Sequence, residues 1–120
     1  MSKEIITEYG KIEITEEVLA TIAGAAAVEC YGIVGMASKR LKDGIVELLG
    51  RENLSRGVKV EIKENEILIN LNIIVGYGVR ISEVAANVRD KVKYTVESMS
   101  GLPVSKVNVH VRGVKVAPVK

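Results

Sequence analysis

The chain reads as an α+β protein of two layers, a mixed β-sheet with helices packed mainly on one face. Three observations predict this. Val58 to Val75 alternates apolar and polar residues around one polar turn, Val84 to Val96 repeats valine at helical spacing, and Val107, Val109 and Val111 alternate again near the end. The apolar bulk is Val, Ile, Leu and Ala, with no Phe or Trp, and branched aliphatics suit a helix-on-sheet core. With 120 residues, of which 48% are hydrophobic and 27% charged, the chain fits one globular domain over 1–120, with 1–9 and 117–120 as flexible ends.

Lys11 to Ile14 is a short alternating run, read as the first strand. Thr15 can cap a helix that carries Glu16 and Glu17 in its first turn, where the helix dipole favours acids. Val18, Leu19, Ile22, Ala25 and Ala26 recur at helical spacing, and Ala23 to Ala27 is wholly Gly and Ala, a surface on which a neighbouring backbone can pack tightly. Tyr31 to Ala37 breaks the helix with glycine and continues as a short strand. Ser38 can cap a second helix with a stripe at Leu41, Ile45 and Leu48 or Leu49, ending at Gly50 and packing on the domain.

Next come the two strands of a hairpin, with Val58, Val60 and Ile62 before the turn Glu64 to Glu66 and Ile67, Ile69, Leu71, Ile73 and Val75 after it. Gly76 to Gly78 reads as a turn, because the third glycine of a dinucleotide fingerprint is missing. Ser82 can cap a third helix, whose apolar face is Val84, Ala85, Val88, Val92, Val96 and Met99, and Gly101 and Pro103 stop it. In the last strand, valines at 107, 109 and 111 give way to Val114 and Val116, a change of parity that predicts a bulge at Gly113. The order is therefore strand, helix, strand, helix, strand, strand, helix, strand.

With helices on one face, the other face of the sheet is polar. It carries Asn70 and Asn72, Lys59 and Lys63, and His110 and Arg112. Lys59, Asn70, Asn72, His110 and Arg112 are the candidate interaction surface, expected to be reachable from solvent. Charge is uneven along the chain. Glu4, Glu8, Glu13, Glu16, Glu17 and Glu29 crowd the N-terminal third, whereas no acid follows Glu97 and Lys106, Arg112, Lys115 and Lys120 remain. An acidic end can meet a basic end in self-association, or the basic end can meet an anionic partner.

Catalytic chemistry lacks its residue sets. One His and one Cys, on different expected elements, do not make a zinc site. Cys30 reads as a buried structural thiol with no base expected beside it, and the adjacent Glu16 and Glu17 diverge on a helix. No catalytic residue, metal or cofactor is expected. A single cysteine excludes an internal disulfide, no apolar run approaches the ~20 residues of a membrane span, and Met1 to Gly10 has no signal-peptide pattern. A cytoplasmic location without direct membrane insertion follows as the expectation. An RNA-binding module using the basic C-terminal strand is the rival reading. Against it stand the missing aromatic platform on the sheet face and the missing glycine clamp loop.

Three stretches carry a family resemblance: GKIEITEEVLATIAGAAAVECYGIVGMASK, NLSRGVKVEI and VGYGVRISEVAANVRDKVKYTVESMSGLPVSKVNVHVRGVKV. They resemble the alkaline-shock, or envelope-stress-response, family and most closely its YloU-like branch, over Gly10 to Val116. The pairing of Cys30 to Lys39 with Val107 to Val114 is the specific part. The resemblance implies a non-enzymatic cytoplasmic protein of Gram-positive-type bacteria, linked to cell-envelope stress, with no catalytic residues to carry over. It also implies partners: the chain itself as a homo-oligomer, and another protein associated with the membrane or with lipid metabolism. Such a partner would recruit the chain to the inner face of the membrane.

Overall fold

Eleven mostly apolar residues, Glu66–Gly76, form the strand around which the sheet is organised. The computed structural model describes residues 2–38, 51–64 and 66–116. In chain order it shows β1 (Ser2–Thr7), β2 (Gly10–Thr15), α1 (Glu16–Val28), β3 (Ile33–Met36), a 3-10 helix (Arg51–Gly57), β4 (Val58–Lys63), β5 (Glu66–Gly76), α2 (Ile81–Ser100) and β6 (Lys106–Lys115). The α+β class holds, and the sheet is mixed. β4 and β3 both pair antiparallel with β5, and β6 pairs parallel with it.

β3 and β4 share one edge of β5. β4 takes Glu66 to Leu71 and β3 takes Ile73 to Val75, so the two abut end to end opposite Asn72. β6 runs along the other edge from Leu68 to Gly76. Alternation puts Ile67, Ile69, Leu71, Ile73 and Val75 on the covered face, all buried, together with Val58, Val60 and Ile62 of β4. Burying a side chain of this size stabilises by about 1.5–3 kcal/mol. From the helices come Leu19, Ala20, Ala23, Ala26 and Ala27 of α1 and Val84, Val88, Val92 and Val96 of α2.

The helix ends follow local chemistry. Thr15 caps α1, its hydroxyl accepting the Val18 N–H at 3.3 Å. The Gly and Ala face of α1 lets the 3-10 helix come close: a Cβ on Gly24 would lie 3.1 Å from the Leu54 carbonyl oxygen. Gly101 closes α2 in the left-handed conformation, its N–H donating to the Glu97 carbonyl. The bulge near Gly113 is present. Val111 pairs with Ile73 and Gly113 with Ile74, so Arg112 is the extra residue, and Val114, though of the other parity, returns to the face of the earlier valines.

Several expectations are corrected. Ser2–Thr7 is not a loose end but a strand, paired with β2 as a separate two-stranded hairpin. Across the turn, Lys3, Ile5 and Thr7 stand on the same face of this hairpin as Ile12 and Ile14. Ser82 does not cap α2; the helix starts at Ile81 after Arg80, with no side-chain cap bond. Val18, Ala25 and Met99 point to solvent, because the stripe facing the sheet is narrower than the apolar runs. The 3-10 helix was not anticipated, since Arg51–Gly57 has no apolar period. The expected helix over Leu41 to Leu49 and the end 117–120 lie outside the described residues.

Candidate interaction face

Cross-strand pairing places the five candidate residues together on the open face of the sheet. Lys59 of β4, Asn70 of β5 and Asn108 of β6 form one row, and Asn72 with His110 forms the next. Arg112 lies beyond His110, and its inserted position lets the guanidinium fold back over Asn72. Alternation after Val111 already puts Arg112 on the open face, and the bulge re-phases the strand beyond it, so that Val114 pairs with Val75 on the covered side.

The side chains hold one another. Asn70 Oδ1 accepts from Asn108 Nδ2 at 3.1 Å and meets His110 Nε2 at 3.4 Å, the imidazole donating in the tautomer protonated there. Asn72 Oδ1 accepts from Arg112 Nε at 2.8 Å, while Asn72 Nδ2 donates to the Gly57 carbonyl at 3.3 Å. The Asn72 backbone carbonyl also accepts from the Ala37 N–H at 2.9 Å. Asn72 thus joins the start of β4, the residue after β3 and the bulged part of β6. Charge-assisted bonds such as the one from Arg112 are shorter and stronger than neutral ones.

One expectation about this face changes. Asn72 is not reachable; it is 7% exposed, enclosed by Arg112 and by the seam between β3 and β4. Lys59, Asn108 and Arg112 are exposed, and Asn70 and His110 half-buried. The reachable surface is therefore Lys59, Asn108, Arg112 and the outer parts of Asn70 and His110. Asn108, which shares the parity of His110 and Arg112, joins the five candidates on this face. Leu68, between Glu61 and Lys106 in the row before, is a further half-buried part of the face.

Cys30 closes the C-terminal end of α1. Its thiol is half-buried, packs against the core and donates to the Ala26 carbonyl at 3.7 Å. Burial pushes its pKa up, Lys91 pulls it down and Glu29 adds to the rise. The group is thus held as the thiol, a poor nucleophile. Alkylation by iodoacetamide near neutral pH should be slower in the folded protein than in urea, and equal rates would contradict the burial. A folded pKa raised above the unfolded one gives stability that is complete below the ordinary thiol range and lost as pH climbs through it. Cys30→Ala should accordingly flatten the alkaline fall in stability.

Among the described residues, no group of three or more His, Cys, Asp and Glu side chains could hold a metal ion, and no helix is long and apolar enough to cross a membrane. A MamM CTD structure aligns over 87% of this chain and 100% of its own, with TM-score 0.50 and 12% identity, a likeness of fold alone. YloU of Bacillus subtilis is 57% identical over 97% of this chain and 98% of its own. A Streptococcus pyogenes relative called a stress response regulator gls24 homolog is 27% identical, over 88% of this chain and 59% of its own. The model of the alkaline-shock protein family, described as having a cell envelope-related function, matches residues 4–116. These matches agree with the cross-strand fold and with the quoted motifs, and the chain belongs to the alkaline-shock protein family, in its YloU-like branch.

Proposed function

We propose that the chain is a non-enzymatic scaffold or adaptor of the cell-envelope stress response, which binds a protein partner through the open sheet face. The observation that carries this reading is the ordered patch beside Lys59, in which Asn70 holds Asn108 and His110 and Asn72 holds Arg112. A surface ordered before contact loses less side-chain freedom on binding, so more of its interaction energy appears as affinity. The partner is a cytoplasmic or membrane-associated protein, the second kind recruiting the chain to the inner face of the membrane.

Capture from cells tests this, with the intact protein compared against a His110→Ala, Arg112→Ala double variant that circular dichroism shows to be folded. The expected result is the loss of at least one partner retained by the intact chain; an unchanged partner set rejects the face. RNA recovered with the intact chain, released by modest salt and lost with Arg112→Ala, would replace the protein partner by a nucleic acid.

A further inference from the structure

The β1–β2 hairpin is built like a piece of a larger sheet. A two-stranded hairpin alone is marginally stable in water and needs more strands or a packed face. Here the pairing puts Ile5 opposite Ile12 on one face and Glu4 opposite Glu13 on the other. Like charges directly opposite each other destabilise a strand pair, and the ion pair from Lys11 to Glu4 at 3.1 Å and the bond from Ser2 Oγ to Glu13 at 2.9 Å offset this in part. The apolar face is covered only at its base, where Ile14 packs against the core. Ile12 is 57% exposed, and Tyr9 at the turn 93%.

The complementary feature is the outer edge of β6. Among the described residues no strand pairs with it, so a row of backbone donors and acceptors is left open. Beside this edge runs a cleft of about 430 Å³ between β6 and α2, walled by Ala85, Ala86 and Arg89 on the helix and by Val107, Val109 and His110 on the strand. The small residues of α2 leave room for another strand. Addition of an extended segment to an open edge beside a helix is a recurring mode of recognition.

The two features match in three ways. The hairpin lacks neighbouring strands and the β6 edge lacks one. A hairpin laid on that edge with Ile5 and Ile12 toward the helix side would meet Ala85, Ala86 and Val109, while Glu4 and Glu13 would face the side of Lys106, Arg112 and Lys115. From Lys106 to Val116 the described chain holds no acid, whereas the hairpin carries Glu4, Glu8 and Glu13 against Lys3 and Lys11.

We propose that the β1–β2 hairpin of one copy adds to the β6 edge of a second copy, extending its sheet. This deepens the scaffold reading by naming one contact, and it can fail separately, because self-association and partner capture are read in different assays. Contact of this kind depends on charge across the junction, so it weakens with added salt.

Sedimentation of the full chain tests the proposal with two charge reversals at exposed positions. One variant carries Glu4→Lys and Glu13→Lys, the other Lys106→Glu and Lys115→Glu; neither set touches the Asn72–Arg112 bond. Wild type should self-associate with rising concentration. Each variant alone should associate at least tenfold more weakly, because its hairpin and edge then carry the same sign, and an equimolar mixture of the two should restore association. Far-UV circular dichroism and the urea midpoint establish that each variant is folded. A wild-type chain that stays monomeric at high concentration, variants that associate like wild type, or a mixture that fails to recover would each overturn the proposal.

Discussion

Replacing Gly32 with alanine should destabilise the fold by about 2–5 kcal/mol, a large part of the ~5–15 kcal/mol that holds a domain of this size folded. Two costs act at once. Gly32 has φ of +89°, a conformation that side chains of L-residues rarely adopt, and placing a side chain in left-handed backbone costs about 1–2 kcal/mol. A Cβ there would also lie 2.8 Å from Cγ2 of Val84, a buried residue of α2, and overpacking a filled core typically costs about 1–3 kcal/mol. Gly78 separates the two costs, since its φ is +95° but nothing lies within 4 Å of its virtual Cβ. Gly78→Ala should therefore show the backbone cost alone. Urea denaturation of both variants checks this, and similar losses at the two positions would contradict the close approach of α2 to the turn before β3.

Asn72→Ala should cost about 1–3 kcal/mol, because it leaves the Gly57 carbonyl and the Arg112 Nε without the partner they have in the fold. The loss should be coupled to Arg112. In a double-mutant cycle, Arg112→Ala in the Asn72→Ala background should cost less than in wild type, with an interaction energy of about 0.5–3 kcal/mol, as for residues in one hydrogen-bonded network. Additive losses would mean that the 2.8 Å bond does not persist in solution. The same variant bears on function. On the proposed scaffold reading, Arg112 freed from Asn72 loses its fixed direction, so capture of a partner through the open face should weaken even though Asn72 itself is buried.

The candidate face was legible in the sequence to the extent that parity is local. Asn70 and Asn72 alternate with Ile69, Leu71 and Ile73, and Asn108, His110 and Arg112 alternate with valines, so each run reveals its two faces without knowledge of its neighbours. Gly113 likewise marked the bulge. Burial of Asn72 was not legible, because it depends on three segments meeting at one point: Gly57 before β4, Ala37 after β3 and Arg112 in β6. The hairpin arm escaped notice for a related reason. Its charged residues made Ser2–Thr7 look like a free end, and the apolar half of its pattern is spread thinly over Ile5, Ile12 and Ile14.

By itself, the sequence determined the class of fold, the buried side of β4, β5 and β6 and of α2, the cap at Thr15 and the stop at Gly101. All of these rest on spacing within a dozen residues and on the conformational limits of single residue types. Tertiary structure decided that β6 lies parallel beside β5, that β3 and β4 share its other edge, and that Asn72 meets an arginine 40 positions later. Periodicity says which way a side chain points. The choice of neighbour belongs to the whole chain, because many pairings of similar valine and isoleucine strands satisfy the same local pattern.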